Sequence, residues 1–197
     1  DGGIIPTTSV GNSASFAIFA EKVIVEINTN LSPAFEGLHD IYIPTYRPTR
    51  QPIPLTQVDE RIGTHAINID PAKIVGIVIN NDLHDSPSTV TAPDDETQGI
   101  ADHLIAFFEK EVAEERLPKN LGPLQAGIGS IANAVLTGLK DSNFEDLVMY
   151  SEVLQDCTFE LIDAGKMKFA SGSSITLSAK YGEKVFNNLE AYKDKLV

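Results

Sequence analysis

The sequence has one cysteine, no tryptophan and few basic residues among its 197 positions. The single cysteine, Cys157, excludes a disulfide within the chain and is typical of a reducing compartment. Lysine and arginine number 15 against 28 aspartate and glutamate residues, a formal net charge of −13. Because nucleic-acid binding depends on basic side chains that neutralise phosphates, this charge argues against a nucleic-acid partner.

Long apolar runs are also missing. The longest, at residues 74–79, is far too short to span a bilayer, so no membrane partner is expected. The sequence opens without a basic and then apolar leader, so we expect no secretion. Hydrophobic residues still make up 42% of the sequence, which is enough for the core of one domain or of parts of two.

Apolar and amphipathic segments alternate along the chain. Strands are predicted at 2–10, 21–28, 74–79, 147–150 and near 167–170, the last followed by a Gly/Ser turn at 171–174. Helices are predicted from Asp94 to the break at Pro118, at 131–140, at 159–165 (helix or turn) and at 180–195. Along the first helix, a stripe at helical spacing is predicted to face the core: Ile100, Leu104, Phe107, Phe108 and Val112. Strands that alternate with helices predict an α/β fold with a mostly parallel sheet and helices on both faces.

A proline-rich stretch interrupts this alternation. Pro44, Pro48, Pro52 and Pro54 fall so close together that neither a helix nor a central strand can form. We therefore predict an extended connector at 43–66, and we expect the strand at 74–79 to open a second domain.

A glycine turn is the most informative local pattern. Gly127-Ile128-Gly129 follows an apolar strand end and precedes an Ala/Leu-rich helix. Glycines here let the backbone fold tightly and expose its N–H groups, which suits an anion or an oxyanion. The next apolar run delivers Glu152 at a strand end, where open α/β sheets carry their chemistry. Neither feature is specific alone, because strand-end glutamates are commonly solvated.

Taken in order, these segments resemble the acetyl-CoA hydrolase/transferase family, a branch of the class I CoA-transferases. The resemblance rests on Leu-Gln-Ala-Gly-Ile-Gly-Ser-Ile-Ala-Asn-Ala-Val at 124–135, Asp-Ser-Asn-Phe at 141–144 and Ser-Glu-Val-Leu-Gln-Asp at 151–156. It extends through 3–11, 22–28, 35–41 and 169–174, and so covers nearly the whole chain. The family's best-known activity is CoA transfer from succinyl-CoA to acetate.

The resemblance implies a longer protein with two related α/β domains, of which this sequence is expected to be a fragment. Residues 1–45 would end the first domain, 46–70 would connect the two, and 71–197 would begin the second. We expect such a fragment to be inactive alone, because an active site between two domains must be lined by both of them. The resemblance also implies a homodimer, located in the cytoplasm, or in the mitochondrion of a eukaryote.

The resemblance assigns roles to particular residues. Glu152 matches the family's nucleophile, a carboxylate that takes CoA from an acyl-CoA as a glutamyl thioester. Ile128 matches the backbone contributor to the oxyanion hole. The positions that match the CoA-contacting segment are Leu124, Gln125, Ala126, Gly127, Ile128 and Gly129. The substrates would be acyl-CoA thioesters and short carboxylates, such as acetyl-CoA and succinyl-CoA, with no permanently bound cofactor and no metal.

Several observations keep alternatives open. CoA is a polyanion, yet the sequence has no basic cluster for its phosphates, and the basic residue expected in the 80–93 loop is replaced by His84 at most. A non-catalytic nucleotide- or phosphate-binding α/β module using only the glycine turn is the alternative; it would have no need of Glu152. A sugar-phosphate isomerase is a weaker rival, since no phosphate-binding basic residue lies near the turn.

The remaining candidates are weaker. Asn133 is predicted to be a capping or packing amide, and His39 is predicted to be a structural histidine that could otherwise orient Asp40 or a substrate. His65, His84 and His103 lack metal-ligand spacing. The sequence has no Gly-x-Ser-x-Gly motif, which argues against a serine hydrolase.

Overall fold

The computed structural model describes residues 2–82, 87–89 and 92–197. Over these residues the chain forms strands and α-helices joined by loops and 3₁₀ turns. The strands are β1 (Gly3–Ile4), β2 (Val23–Asn28), β3 (Ile67–Asn68), β4 (Ile74–Asn80), β5 (Pro123–Leu124), β6 (Leu147–Leu154) and β7 (Met167–Ile175). The α-helices are α1 (Ser13–Phe19), α2 (Asp95–Ala113), α3 (Ser130–Asp141), α4 (Asp156–Asp163) and α5 (Ala179–Phe186).

The described strands form three small sheets. β5, β6 and β7 make a parallel sheet in that order, β2 and β4 make a parallel pair, and β1 and β3 make an antiparallel pair. The α/β class is therefore confirmed and parallel pairing predominates. The strand predicted at 74–79 is present as β4. It pairs with β2, because a β-branched apolar run fits any sheet interior and does not specify its neighbour.

Several element boundaries differ from the prediction. The strand predicted at 2–10 is reduced to β1 and a single bridge at Ser9, and α1 follows unpredicted. The predicted Gly/Ser turn at 171–174 is part of β7, whose polar residues are held by pairing with β6. α4 begins at Asp156, before the predicted position, and the last predicted helix breaks after Phe186 into 3₁₀ turns.

The helix predicted after the 80–93 loop begins with a capping box. The Asp94 carboxylate accepts a hydrogen bond from the Thr97 N–H at 2.8 Å, and the Thr97 hydroxyl accepts one from the Asp94 N–H at 2.9 Å. The helix ends at Ala113, before Pro118. Its predicted core stripe is only partly correct, because Ile100 and Phe107 are exposed.

The sheet of β5, β6 and β7 positions the candidate site. Leu147 and Met149 of β6 are fully buried in the main core, which also contains residues of α3 and α4. Side chains alternate along a strand, so Val148, Tyr150 and Glu152 lie on the opposite face. The connector approaches this face of the sheet. It contains turns but no helix or strand between 42 and 63. Residues of the connector and of the sheet together line two cavities. The predicted division into domains at 45 and 70 stays a prediction.

Candidate active site

Glu152 lies near the carboxyl end of β6, with an exposed side chain. Its backbone carbonyl accepts a hydrogen bond from the Ser173 hydroxyl of β7 at 2.8 Å. Within the described part of the chain, no hydrogen bond or ion pair holds its carboxylate. The backbone of Glu152 is thus held by β7 while no described residue holds its carboxylate, which suits a nucleophile that must reach a substrate.

The glycine turn lies between β5 and α3. Gly129 is the residue before the first turn of α3 and has φ 134° and ψ 169°, a conformation that L side chains rarely adopt. Among the described residues no side chain caps α3, so N–H groups of its first turn have no capping partner there. Ile128 is 73% exposed, so its side chain does not anchor the turn in the core. The turn therefore offers backbone donors at a helix N-terminus, as the sequence predicts.

Ser151 joins the glycine turn to the strand that carries Glu152. Its hydroxyl donates to the Ala126 carbonyl at 2.9 Å and accepts from the Ala126 N–H at 3.4 Å. Ala126 is directly before Gly127, and Ser151 is directly before Glu152. The structure thus links the residue before the glycine turn to the residue before Glu152, through a contact that the sequence does not predict.

A segment near the start of the chain also reaches this sheet. The Val10 N–H donates to the Ser173 carbonyl at 3.0 Å, and the Ile175 N–H donates to the Thr8 carbonyl at 2.7 Å. Residues 8–10 therefore lie along the edge of β7 opposite to β6, the strand of Glu152. The sequence does not predict this placement, because pairing between distant segments leaves no local pattern.

His39 is a buried structural residue close to that segment. Its Nε2 lies 3.1 Å from the Thr7 carbonyl, which can only accept, so Nε2 carries the hydrogen of the neutral ring. Nδ1 is buried and has no hydrogen-bond partner among the described residues. Burial lowers the pKa of His39 below its ordinary value, which favours this neutral form. The Asp40 carboxylate accepts from the Ile62 and Gly63 N–H groups, so His39 does not orient it.

The fold gathers basic residues that the sequence leaves scattered. A cavity of about 640 Å³ beside Val148 is lined by Arg61, Lys168 and Lys193. Arg61 donates to the carbonyls of Leu38, His39 and Leu196, Lys168 pairs with Asp146, and Lys193 pairs with Glu190. Because all three cations already have partners, the cavity supports no phosphate assignment.

Asn133 and Cys157 join the helices that follow the two halves of the site. Both are buried, and the Cys157 thiol donates to the Asn133 side-chain carbonyl at 3.6 Å. Asn133 is thus a packing amide, one of the two predicted possibilities. Burial raises the pKa of the Cys157 thiol to about 11.

Cys157 should therefore be inert in the folded protein. At pH 8 a thiol with this pKa is almost entirely protonated, and the thiolate is the reactive form. We expect a disulfide exchange reagent to leave Cys157 unmodified in the native protein and to modify it stoichiometrically in urea. Modification at the same rate in both conditions would contradict a buried, protonated thiol.

The other candidate histidines form no site among the described residues. His65 and His103 lie far apart along the chain, and the described residues include no cluster of three metal-ligating side chains. His84, the expected substitute for a basic residue in the 80–93 loop, lies outside the described residues. Among the helices of the described ranges, none combines the length and apolar character needed to cross a membrane.

Sequence comparisons place the chain among curated enzymes. Residues 1–79 match the family described as the acetyl-CoA hydrolase/transferase N-terminal domain. The whole chain is 46% identical to the acetyl-CoA hydrolase of Schizosaccharomyces pombe and 43% identical to that of Saccharomyces cerevisiae. It spans 37% of the length of each of these relatives.

Solved structures share the fold. RipA from Yersinia pestis matches with a TM-score of 0.59 at 19% identity, over 92% of this chain and 35% of that one. The 4-hydroxybutyrate CoA-transferase of Porphyromonas gingivalis matches with a TM-score of 0.55 at 18% identity, over 96% of this chain and 39% of that one. At these identities the likeness establishes the fold alone.

Proposed function

We propose that the chain belongs to the acetyl-CoA hydrolase/transferase family and that it carries the nucleophile of an enzyme that transfers CoA between short carboxylic acids or hydrolyses their CoA thioesters. The observation that carries this proposal is the link between Glu152 and the glycine turn. A free carboxylate and a row of backbone donors, joined by Ser151, are the two components that acyl transfer through a glutamate needs.

In the proposed reaction, a carboxylate oxygen of Glu152 attacks the carbonyl carbon of the acyl-CoA. The carbon–sulfur bond breaks, CoA leaves as the thiolate, and an acyl-glutamyl anhydride remains. The thiolate then attacks the glutamyl carbonyl, which releases the original acid as its carboxylate and leaves a glutamyl-CoA thioester. Each attack passes through a tetrahedral oxyanion, and N–H groups of the Gly127-Ile128-Gly129 turn are the proposed donors.

The second half of the reaction decides the net outcome. Attack by an acceptor carboxylate reverses the sequence and yields a new acyl-CoA, whereas attack by water releases free CoA and restores Glu152. We propose acetate and succinate as representative acids, acetyl-CoA and succinyl-CoA as representative thioesters, and a homodimer as the working protein. The family resemblance supports these choices. The chemistry needs no bound cofactor, because the substrate supplies the thioester.

Thiol release distinguishes the two outcomes and tests the proposal. The protein at its natural length is incubated with acetyl-CoA, with and without isotopically labelled acetate. Hydrolysis releases free thiol in both cases, whereas transfer moves label into acetyl-CoA without net loss of thioester. We expect at least one of these activities. A folded protein with neither thiol release nor label exchange, also with succinyl-CoA as donor, would exclude the proposed function.

A further inference from the structure

The contact between Ser151 and Ala126 lies where a regular sheet would have backbone pairing. β5 pairs with β6 through Pro123↔Val148 and Leu124↔Met149, and then ends. Two residues further along the same register, Ala126 would face Ser151. The backbone ladder is not continued there, and the Ser151 hydroxyl binds both the N–H and the carbonyl of Ala126 instead. One side chain thus replaces a pair of backbone hydrogen bonds at the start of the glycine turn.

The far end of the turn has its own support. The Asn133 N–H donates to the Gly129 carbonyl at 3.0 Å, which closes the first turn of α3. The Asn133 side chain accepts from the Cys157 thiol, so α3 is tied to α4. The span from Gly127 to Gly129 therefore lies between a packed helix on one side and the Ser151 hydroxyl on the other.

The turn itself has little else to hold it. An added Cβ at Gly127 or Gly129 would meet no described atom within 4 Å, and Ile128 is largely exposed. Without the Ser151 hydroxyl, the near end of the turn would lose its hydrogen bonds to β6 and would keep the packing of Ala126 against the core, while the core of Leu147, Met149 and α3 would be untouched.

We propose that Ser151 is a positioning residue, whose hydroxyl sets the distance between the N–H groups of the glycine turn and the carboxylate of Glu152. The inference rests on the proposed function, since the turn and Glu152 must act on the same reacting carbon. Ser151 itself touches the backbone of Ala126 and acts only through it. Oxyanion donors act mainly in the transition state, so misplacing them lowers kcat more than it raises KM.

The test compares three variants of the natural-length protein. We expect Ser151→Ala to lower kcat for acyl-CoA turnover by about ten- to a hundredfold, since a displacement near 1 Å can cost about that much. KM should change much less than kcat, because the oxyanion donors act mainly in the transition state. Ser151→Thr keeps the hydroxyl and should recover most of the lost kcat.

Ser142→Ala is the matched control. The Ser142 hydroxyl likewise donates to a carbonyl, that of Leu139 at 2.7 Å, and accepts from an N–H, that of Phe144 at 3.2 Å, but at the opposite end of α3. It should lose as much thermal stability as Ser151→Ala while keeping kcat. An equal fall of kcat in both alanine variants would reduce Ser151 to a structural role, and an unchanged kcat in Ser151→Ala would refute the proposal.

Hydrogen exchange separates this inference from the proposed function. In Ser151→Ala the amide of Ala126, whose N–H donates to the Ser151 hydroxyl, should exchange at least tenfold faster, with the amides of β6 unchanged. If amide exchange becomes faster but kcat does not change, the glycine turn is not the oxyanion site. The proposed oxyanion role of the turn and the positioning role of Ser151 then both fail. If exchange is unchanged, the hydroxyl does not hold the turn, and the inference fails while the function of Glu152 stands.

Discussion

Replacing Glu152 with glutamine is expected to lower turnover of acyl-CoA by roughly 10⁴-fold or more, the scale seen when a covalent nucleophile is removed. An amide cannot form the anhydride or the glutamyl thioester, so both halves of the proposed reaction stop. The fold should be unaffected, because the side chain is exposed and its described contacts are confined to its backbone. Surface changes of this kind typically alter the free energy of unfolding by about 0.5 kcal/mol or less.

The intermediate gives a direct readout of the same residue. The natural-length protein is incubated with acetyl-CoA or succinyl-CoA, reduced with borohydride and digested. Mass spectrometry should locate the reduced glutamyl group at Glu152 in the wild-type protein and nowhere in Glu152→Gln. Glu183→Gln is the control, since Glu183 is an exposed glutamate of α5, away from β6. Full activity in Glu152→Gln, or modification at another residue, would exclude Glu152 as the nucleophile.

The sequence was sufficient to predict the local structure around both halves of the candidate site. A glycine turn before a helix and a glutamate near a strand end are local patterns, and both occur where they were predicted. The contact between them was not predictable, because it depends on β5 and β6 being neighbours and on β5 ending two residues early. A serine before a glutamate carries no signal of which backbone its hydroxyl will bind.

The features of the fold that the sequence did not predict have the same origin. The run at 74–79 is a strand, but its pairing with β2 is a tertiary choice between equally apolar neighbours. The Gly/Ser stretch at 171–174 has turn composition, yet β6 on one side and residues 8–10 on the other hold it as a strand. Local propensity therefore predicts the correct type of secondary structure where composition and burial favour the same element. It fails where pairing with a distant segment decides the conformation.

Gly129→Val is expected to reduce kcat by at least a hundredfold, the scale of removing one oxyanion donor, which is about 3 kcal/mol in the transition state. The physical reason is the backbone conformation. Gly129 has φ 134°, and its added Cβ would meet no described atom within 4 Å, so crowding within the chain is not the cause. A valine at this φ is strained by about 1–3 kcal/mol, and the turn relieves that strain by moving its N–H groups.

Gly127→Ala is the matched control within the same turn. Gly127 also has open space around its Cβ position, but it lies outside the positive-φ conformation that requires glycine. Alanine there should change kcat less than about threefold, since it adds a methyl group without backbone strain. Both variants are assayed for acyl-CoA turnover and for thermal unfolding, where Gly129→Val should lower Tm by several degrees at most. Normal turnover in Gly129→Val, or an equal loss in Gly127→Ala, would mean that the conformation of Gly129 does not position the donors.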